Sequence, residues 1–146
     1  PKEDHLDPLP DHISEEIERN ANIITTGWQK DVRPYFAITD VFVFPSYREG
    51  FPNVVLQVGA MGRYSIVTDI NGSNEIIEEG LNGTIIPVKD TVALTKAMAK
   101  VIANKTAYKK VDPRYRELIG KKYGQQFVWE AQLAEYRALE AKPTEN

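Results

Sequence analysis

The sequence predicts an α/β fold built on a parallel, Rossmann-like sheet, with helices at its C-terminal end. Three observations carry that prediction. Short runs rich in β-branched and aromatic residues alternate with helix-compatible segments, an order that argues for parallel strand pairing. One run, Asp40-Val41-Phe42-Val43-Phe44-Pro45-Ser46, leads through a loop holding Glu49 and Gly50 into an apolar, helix-compatible segment. No internal repeat or low-complexity tract interrupts the alternation.

The elements follow in order. Residues 1–10 hold three prolines and several charges and read as loop. Residues 12–20 place Ile13 and Ile17 four apart among Glu15, Glu16 and Glu18, a short amphipathic helix with Asp11 as its cap. Asn22-Ile23-Ile24-Thr25-Thr26 reads as a strand closed by Gly27. Val32 to Ile38 reads as a short helix with Pro34 in its first turn. Val41 to Phe44 is a buried strand, and Asn53 to Met61 a helix ended by Gly62. Ser65 to Asp69 is a strand, Asn71-Gly72-Ser73 a turn, and Asn74 to Glu79 a short helix closed by Gly80. Gly83 to Val88 is a strand whose Pro87 suits a sheet edge. Thr91 then caps a helix whose apolar stripe, Leu94, Ala97, Met98, Val101 and Ile102, reads as core, with Lys96 and Lys100 outside it. Residues 114–141 read as helix in two pieces broken near Gly124, with Trp129, Leu133 and Tyr136 at helical spacing. The domain plan is therefore a sheet-bearing part over 1–113, C-terminal helices over 114–141 packing on it, and a frayed tail over 142–146.

Composition narrows the function classes. At 146 residues the chain has the size of one ordinary domain. A net charge of −3 gives no electrostatic case for nucleic acid or an anionic membrane surface as partner. Cysteine is absent, which removes disulfides and thiolate metal sites and fits a reducing cytosol. His5 and His12 are the only histidines and both stand near the start, which argues against a His-based metal cluster. No apolar run is long enough to span a bilayer, and no signal-peptide pattern opens the chain. It begins Pro1-Lys2-Glu3-Asp4 without a methionine, so a piece of a longer polypeptide is expected.

The loop Tyr47-Arg48-Glu49-Gly50-Phe51-Pro52 is the most informative stretch. A strand–loop–helix order sets a carboxylate and free backbone N–H groups at the C-terminal edge of a parallel sheet, where open α/β folds bind ligands and a helix start holds anions. A carboxylate beside an anion site suits a ligand with both phosphates and hydroxyls, such as a nucleotide sugar. The amides of Gly50, Phe51, Asn53 and Val54 are candidates for phosphate and sugar recognition; the plain alternative is an ordinary helix end with Asn53 as its cap. Gln57 lies one turn beyond Asn53 and points the same way, either to ribose or as a satisfied polar residue under the loop. Gly27, Trp28 and Gln29 follow the first strand and would flank a base, with Trp28 as a core or interface aromatic the competing reading. Gly72 lines the sugar pocket or serves only a tight turn.

Here the residues meet a family. The segment Asp40 to Gln57, then Gly59-Ala60-Met61-Gly62, Ile66-Val67-Thr68-Asp69, Gly72 and Glu75-Ile76-Ile77, resembles the C-terminal, nucleotide-sugar-binding domain of retaining, GT-B-fold glycosyltransferases of family 4. It looks most like those of bacterial capsular and exopolysaccharide synthesis, over roughly residues 11–141. The resemblance implies a partial GT-B donor domain and, in the intact enzyme, transfer of a sugar from a nucleotide diphosphate sugar to a growing glycan with retention. It implies Glu49 as the catalytic-site carboxylate that accepts hydrogen bonds from donor hydroxyls, and neither metal nor other cofactor. The partners it implies are a UDP- or GDP-sugar and a glycan or lipid-linked acceptor, the latter held by an N-terminal domain outside these residues. The location it implies is cytoplasmic, peripheral at the inner face of the membrane. Two departures stand out: the family pairs two glutamates seven residues apart, whereas Gln57 takes the second position, and Arg63-Tyr64 replaces an apolar-proline pair. Two alternatives remain at this point, a non-catalytic sugar-nucleotide or partner-binding module, or a nucleotide-sugar epimerase of the same fold.

The family's first two strand–helix units are also missing. In a sheet ordered 3-2-1-4-5-6 those units separate the third and fourth strands, so residues 22–26 and 41–44 are not expected to be neighbours. Their open edges would be sites of self-association unless the two pair directly or further chain fills the gap. The last of these is the expectation.

Overall fold

The structure, a computed structural model, describes residues 9–104, 108 and 112–141. Residues 1–8 of the expected N-terminal loop and the expected frayed tail, 142–146, lie outside them. The chain divides into two compact units, Pro1–Pro34 and Tyr35–Asn146.

In the first unit, α1 spans Asp11–Arg19. Pro10 is its N-cap, and no side chain caps it; Asp11 instead sits in the first turn, where its charge complements the helix dipole. The strand expected over 22–26 does not form. The amide of Asn22 donates to the side-chain carbonyl of Asn20, and the amide of Ile23 to the Asn20 backbone carbonyl, so the chain turns where extension was expected. Ile24 is 83% exposed. An apolar run without a ladder partner has no reason to stay extended. Near the end of this unit the Arg33 guanidinium hydrogen-bonds the Asp31 carboxylate at 2.7 Å and lowers its pKa to about 2.

From residue 33 onward the order is α2 (Arg33–Ile38), β1 (Val41–Phe44), α3 (Asn53–Ala60), β2 (Tyr64–Thr68), α4 (Ser73–Ile76), β3 (Gly83–Ile86), α5 (Thr91–Ala103), α6 (Pro113–Tyr123) and α7 (Gln125–Glu140). The three strands form a parallel sheet in the order β1-β2-β3. Val43 pairs with Ile66, and Phe44 aligns with Val67 and Ile85 across the sheet. β2 is buried along its whole length, as a central strand covered on both faces must be. β3 is an edge, consistent with Pro87 directly after it. β1 is half-buried rather than buried, because it too is an edge among the described residues.

Alternation along the strands separates two faces. On one face Val67 joins Val55 of α3, Ile76, Ile77 and Ile119 of α6 in the core, with Phe42, Phe44 and Ile85 packed against them. On the other face Val41, Val43 and Ile66 look toward Met98, Val101 and Ile102 of α5 across a groove of about 360 Å³. The α5 stripe, expected as core, is therefore only half covered: Leu94, Ala97 and Val101 are half-buried, Met98 and Ile102 exposed. The helix is capped by Asp90, whose carboxylate accepts from the Ala93 amide at 2.8 Å, not by Thr91.

The two-piece helix with a break at Gly124 is present. α6 buries Ile119 against α3, where a Cβ on Gly59 would come within 2.9 Å of the Ile119 side chain. A larger residue at position 59 would force the Ile119 side chain to shift. α7 differs from the expectation that both pieces pack on the sheet. It has no buried residue, and Trp129, Leu133 and Tyr136 are all exposed. Helical spacing identifies an apolar stripe but not what covers it. The contrast gives a stability prediction. Ile76→Ala removes a fully buried side chain and should lower unfolding free energy by about 2–5 kcal/mol. Leu133→Ala should change it by less than about 0.5 kcal/mol. Urea denaturation of both variants checks this; a loss at Leu133 equal to that at Ile76 would show that α7 is packed.

Candidate functional site

The C-terminal ends of β1, β2 and β3 open into three loops on one edge of the sheet. The first, Pro45–Pro52, carries Glu49. The Ser46 hydroxyl donates to Glu49 Oε1 at 2.7 Å, and the Thr68 hydroxyl, at the buried end of β2, donates to the Ser46 carbonyl. Glu49 is thus tied to Ser46 and Ser46 to the central strand. The carboxylate is half-buried, and a carboxylate has about four lone-pair sites, so one bond from Ser46 leaves it able to accept more.

The helix that follows starts directly at the loop. Pro52 is the N-cap of α3 and cannot offer a side-chain oxygen, and Asn53 is the first helical residue rather than the cap. The first helix-closing bond runs from the Val55 amide to the Pro52 carbonyl at 3.0 Å. The amides of Asn53 and Val54 precede it and have no intrahelical acceptor. Phe51 lies with its ring centroid 5.4 Å from that of Tyr123 on α6. The Tyr123 hydroxyl donates to the Glu75 carbonyl at 2.8 Å, and burial pushes its pKa up, so it remains a donor at neutral pH.

The second loop braces the first. Gly72 has φ +78°, and a Cβ there would stand 2.7 Å from the Gly50 carbonyl oxygen and 2.7 Å from Pro52 Cδ. Its amide donates to Glu75 Oε1 at 3.3 Å. Ser73, next in sequence, is fully buried, and its hydroxyl has no hydrogen-bond partner among the described residues. Asn74 and Asp69 close the loop with a 3.0 Å side-chain bond.

The structure therefore gathers Glu49, Gly50, Phe51, Asn53 and Gly72 at one edge, with Val54 partly buried behind them. Gln57 is exposed one turn along α3 from the exposed Asn53. Gly27, Trp28 and Gln29 belong to the N-terminal unit. There Gly27 takes φ +61°, the Gln29 side chain donates to the Thr26 carbonyl, and Trp28 is 80% exposed, which rules out a core role for its ring. Sequence reasoning missed Ser46 and Thr68. The signal for Ser46 was its place three residues before Glu49 at a strand end; for Thr68 it was a hydroxyl at the terminus of an otherwise apolar strand. Among the described residues no cluster of three or more histidine or acidic side chains could hold a metal ion, and no helix is long and apolar enough to cross a membrane.

Comparison with known proteins places the chain in a family. The sequence profile described as Glycosyl transferases group 1 matches residues 4–104. The lipopolysaccharide core biosynthesis glycosyltransferase LpsE of Rhizobium meliloti (strain 1021) is 28% identical over 117 residues, 80% of this chain and 34% of that protein. The UDP-Gal:alpha-D-GlcNAc-diphosphoundecaprenol alpha-1,3-galactosyltransferase of Escherichia coli is 27% identical over 100 residues, 68% of this chain and 26% of that protein. The sucrose-phosphate synthase structure from Thermosynechococcus elongatus superposes with a TM-score of 0.79 at 22% identity, over 90% of this chain and 34% of that one. The parallel sheet flanked by helices is that of the GT-B glycosyltransferases, and the chain spans about a third or less of the length of these relatives. With the profile matching well over half of its residues, the chain belongs to the group 1 glycosyltransferase family.

Proposed function

We propose that this chain is the donor-binding part of a glycosyltransferase that moves a sugar from a nucleotide diphosphate sugar to a growing glycan with retention at the anomeric carbon. The observation that carries the reading is Glu49, fixed by Ser46 at the sheet's C-terminal edge beside the Asn53 and Val54 amides, which have no intrahelical acceptor. In this reading the Glu49 carboxylate accepts hydrogen bonds from donor-sugar hydroxyls, which orients the ring. The amides of Gly50, Phe51, Asn53 and Val54 face the diphosphate, where oriented N–H groups stabilise the charge that builds as the glycosidic C–O bond breaks. The bonding pair leaves with the phosphate oxygen, the acceptor hydroxyl oxygen bonds to the anomeric carbon on the same face, and its proton passes to the departing phosphate. Gln57 accepts or donates to ribose without adding charge, and Gly72 lines the sugar pocket.

The activity for which the Escherichia coli relative is named, with a UDP-sugar donor and a diphosphoundecaprenol-linked acceptor, supports a UDP-sugar and a lipid-linked glycan as the substrate pair here. The acceptor would be held by a separate domain, and the enzyme would work at the inner face of the membrane as a peripheral protein.

Two predictions test the assignment. In the full-length glycosyltransferase, Glu49→Ala should lower turnover with UDP- or GDP-sugars about ten- to a hundredfold, the loss of a charged hydrogen bond of about 1.5–3 kcal/mol, with circular dichroism unchanged. Wild-type turnover in that variant would reject the donor-site role. Gly72→Ala should be destabilising and also weaken donor binding, because a Cβ strains the left-handed backbone by about 1–2 kcal/mol and also collides with the Gly50 carbonyl. Gly80 has φ +76° but open space around it, so Gly80→Ala should lower the melting temperature while leaving donor affinity intact. Equal affinities in the two variants would show that Gly72 does not brace the site.

A further inference from the structure

Lys89 stands between β3 and α5, at the same edge of the sheet as Glu49. Its φ is +58°, and no other non-glycine residue among the described ones has a positive φ. A lysine enters that region only against steric resistance between its Cβ and the backbone. The local structure does not explain the choice. Lys89 is exposed, and the capping of α5 is done by Asp90, whose bond to the Ala93 amide a glycine at position 89 would leave in place. Strain kept where glycine would relieve it is a sign that the side chain has work to do.

The side chain points to that work. The Lys89 ammonium lies 5.4 Å from the centroid of the Tyr47 ring, within cation–π range. Tyr47 sits in the first loop between Ser46, tied to β2 through Thr68, and Glu49. Tyr47, Lys89, Thr68, Pro45 and Pro87 line one cavity of about 150 Å³ across the ends of the strands. Nothing else touches the Tyr47 ring by a ring contact or hydrogen bond among those described, and the residue is 63% exposed. The far end of the same loop is braced by Gly72.

We propose that Lys89 is a positioning residue: its strained backbone sets the ammonium over Tyr47 and so clasps the near end of the Glu49 loop to the third strand. The clasp's functional value rests on the donor-site reading above; its existence does not. Without it, the Tyr47 ring loses its cation–π contact, and the order that Glu49 needs has to be acquired when the ligand binds.

The test uses the 146-residue chain and four variants. Lys89→Gly removes both strain and cation, Lys89→Asn keeps a residue that tolerates the left-handed conformation but removes the cation, Lys89→Arg keeps the cation, and Tyr47→Ala removes the ring. The melting temperature of Lys89→Gly should equal or exceed that of the wild type, which a merely structural role would not allow. The ¹⁵N order parameters of the Tyr47–Phe51 amides should fall in Lys89→Gly, Lys89→Asn and Tyr47→Ala and be retained in Lys89→Arg. Affinity for UDP-glucose or UDP-galactose by calorimetry should fall about two- to fivefold in the same three variants. The Lys89→Gly/Tyr47→Ala double variant should lose no more than either single one. Unchanged loop order in Lys89→Gly and Lys89→Asn, or losses that add in the double variant, would overturn the proposal. Absence of UDP-sugar binding by the wild type, with the order-parameter changes present, would instead count against the donor-site reading and leave the clasp standing.

Discussion

A parallel sheet releases every strand at the same edge, and that constraint organises the loops that follow β1, β2 and β3. β2 is the strand on which it turns. It is buried throughout, so both its faces must be covered by helices and its two neighbours must run parallel to it in register. Once that holds, the loops after β1, β2 and β3 meet at a single edge. The loop after β1 holds Glu49, and residues of the other two loops pack against it. Gly72 packs against Gly50 and Pro52, and Lys89 reaches Tyr47, each from a backbone with positive φ. The edge is thus a set of loops that limit one another, with the sheet as their common base.

The polar bonds at this edge are few but well placed. Thr68 is 1% exposed, so its hydroxyl must find a partner, and the Ser46 carbonyl is that partner. The demand of a buried hydroxyl in the strand therefore fixes the start of the loop. Ser46 in turn restricts the Glu49 carboxylate without neutralising it. A carboxylate held this way is pre-oriented for hydroxyl ligands, and less rotamer entropy is lost when one binds.

Much of this was legible in the sequence, and the failures have physical causes. Val41–Phe44, the helix from Asn53 and the break at Gly124 were readable because β-branched runs, prolines and glycines report local backbone preference directly. The run at 22–26 had the same local preference, yet it forms no strand: pairing is a tertiary property, and local preference cannot supply a partner. The stripes of α5 and α7 were read correctly as apolar, but whether a stripe is covered depends on what the fold brings to it. That Glu49, Gly50 and Asn53 lie at the sheet's C-terminal edge was visible from their order alone. Ser46 and Thr68 were not, because a hydroxyl announces its partner only after the strands have been set side by side.

The close approach of Gly59 to Ile119 gives α3 a second meaning. A helix of eight residues is about 12 Å long and has almost no give along its axis. One end of α3 opens the Glu49 loop; nearer its other end it is seated against α6, which also meets Phe51 and Glu75 through Tyr123. Such a helix works as a stiff lever with its fulcrum in the core. Whatever repositions α6, including a change of volume at Ile119, tilts the amides at the other end, so the geometry of this edge can be tuned by selection from residues far along the helix from it.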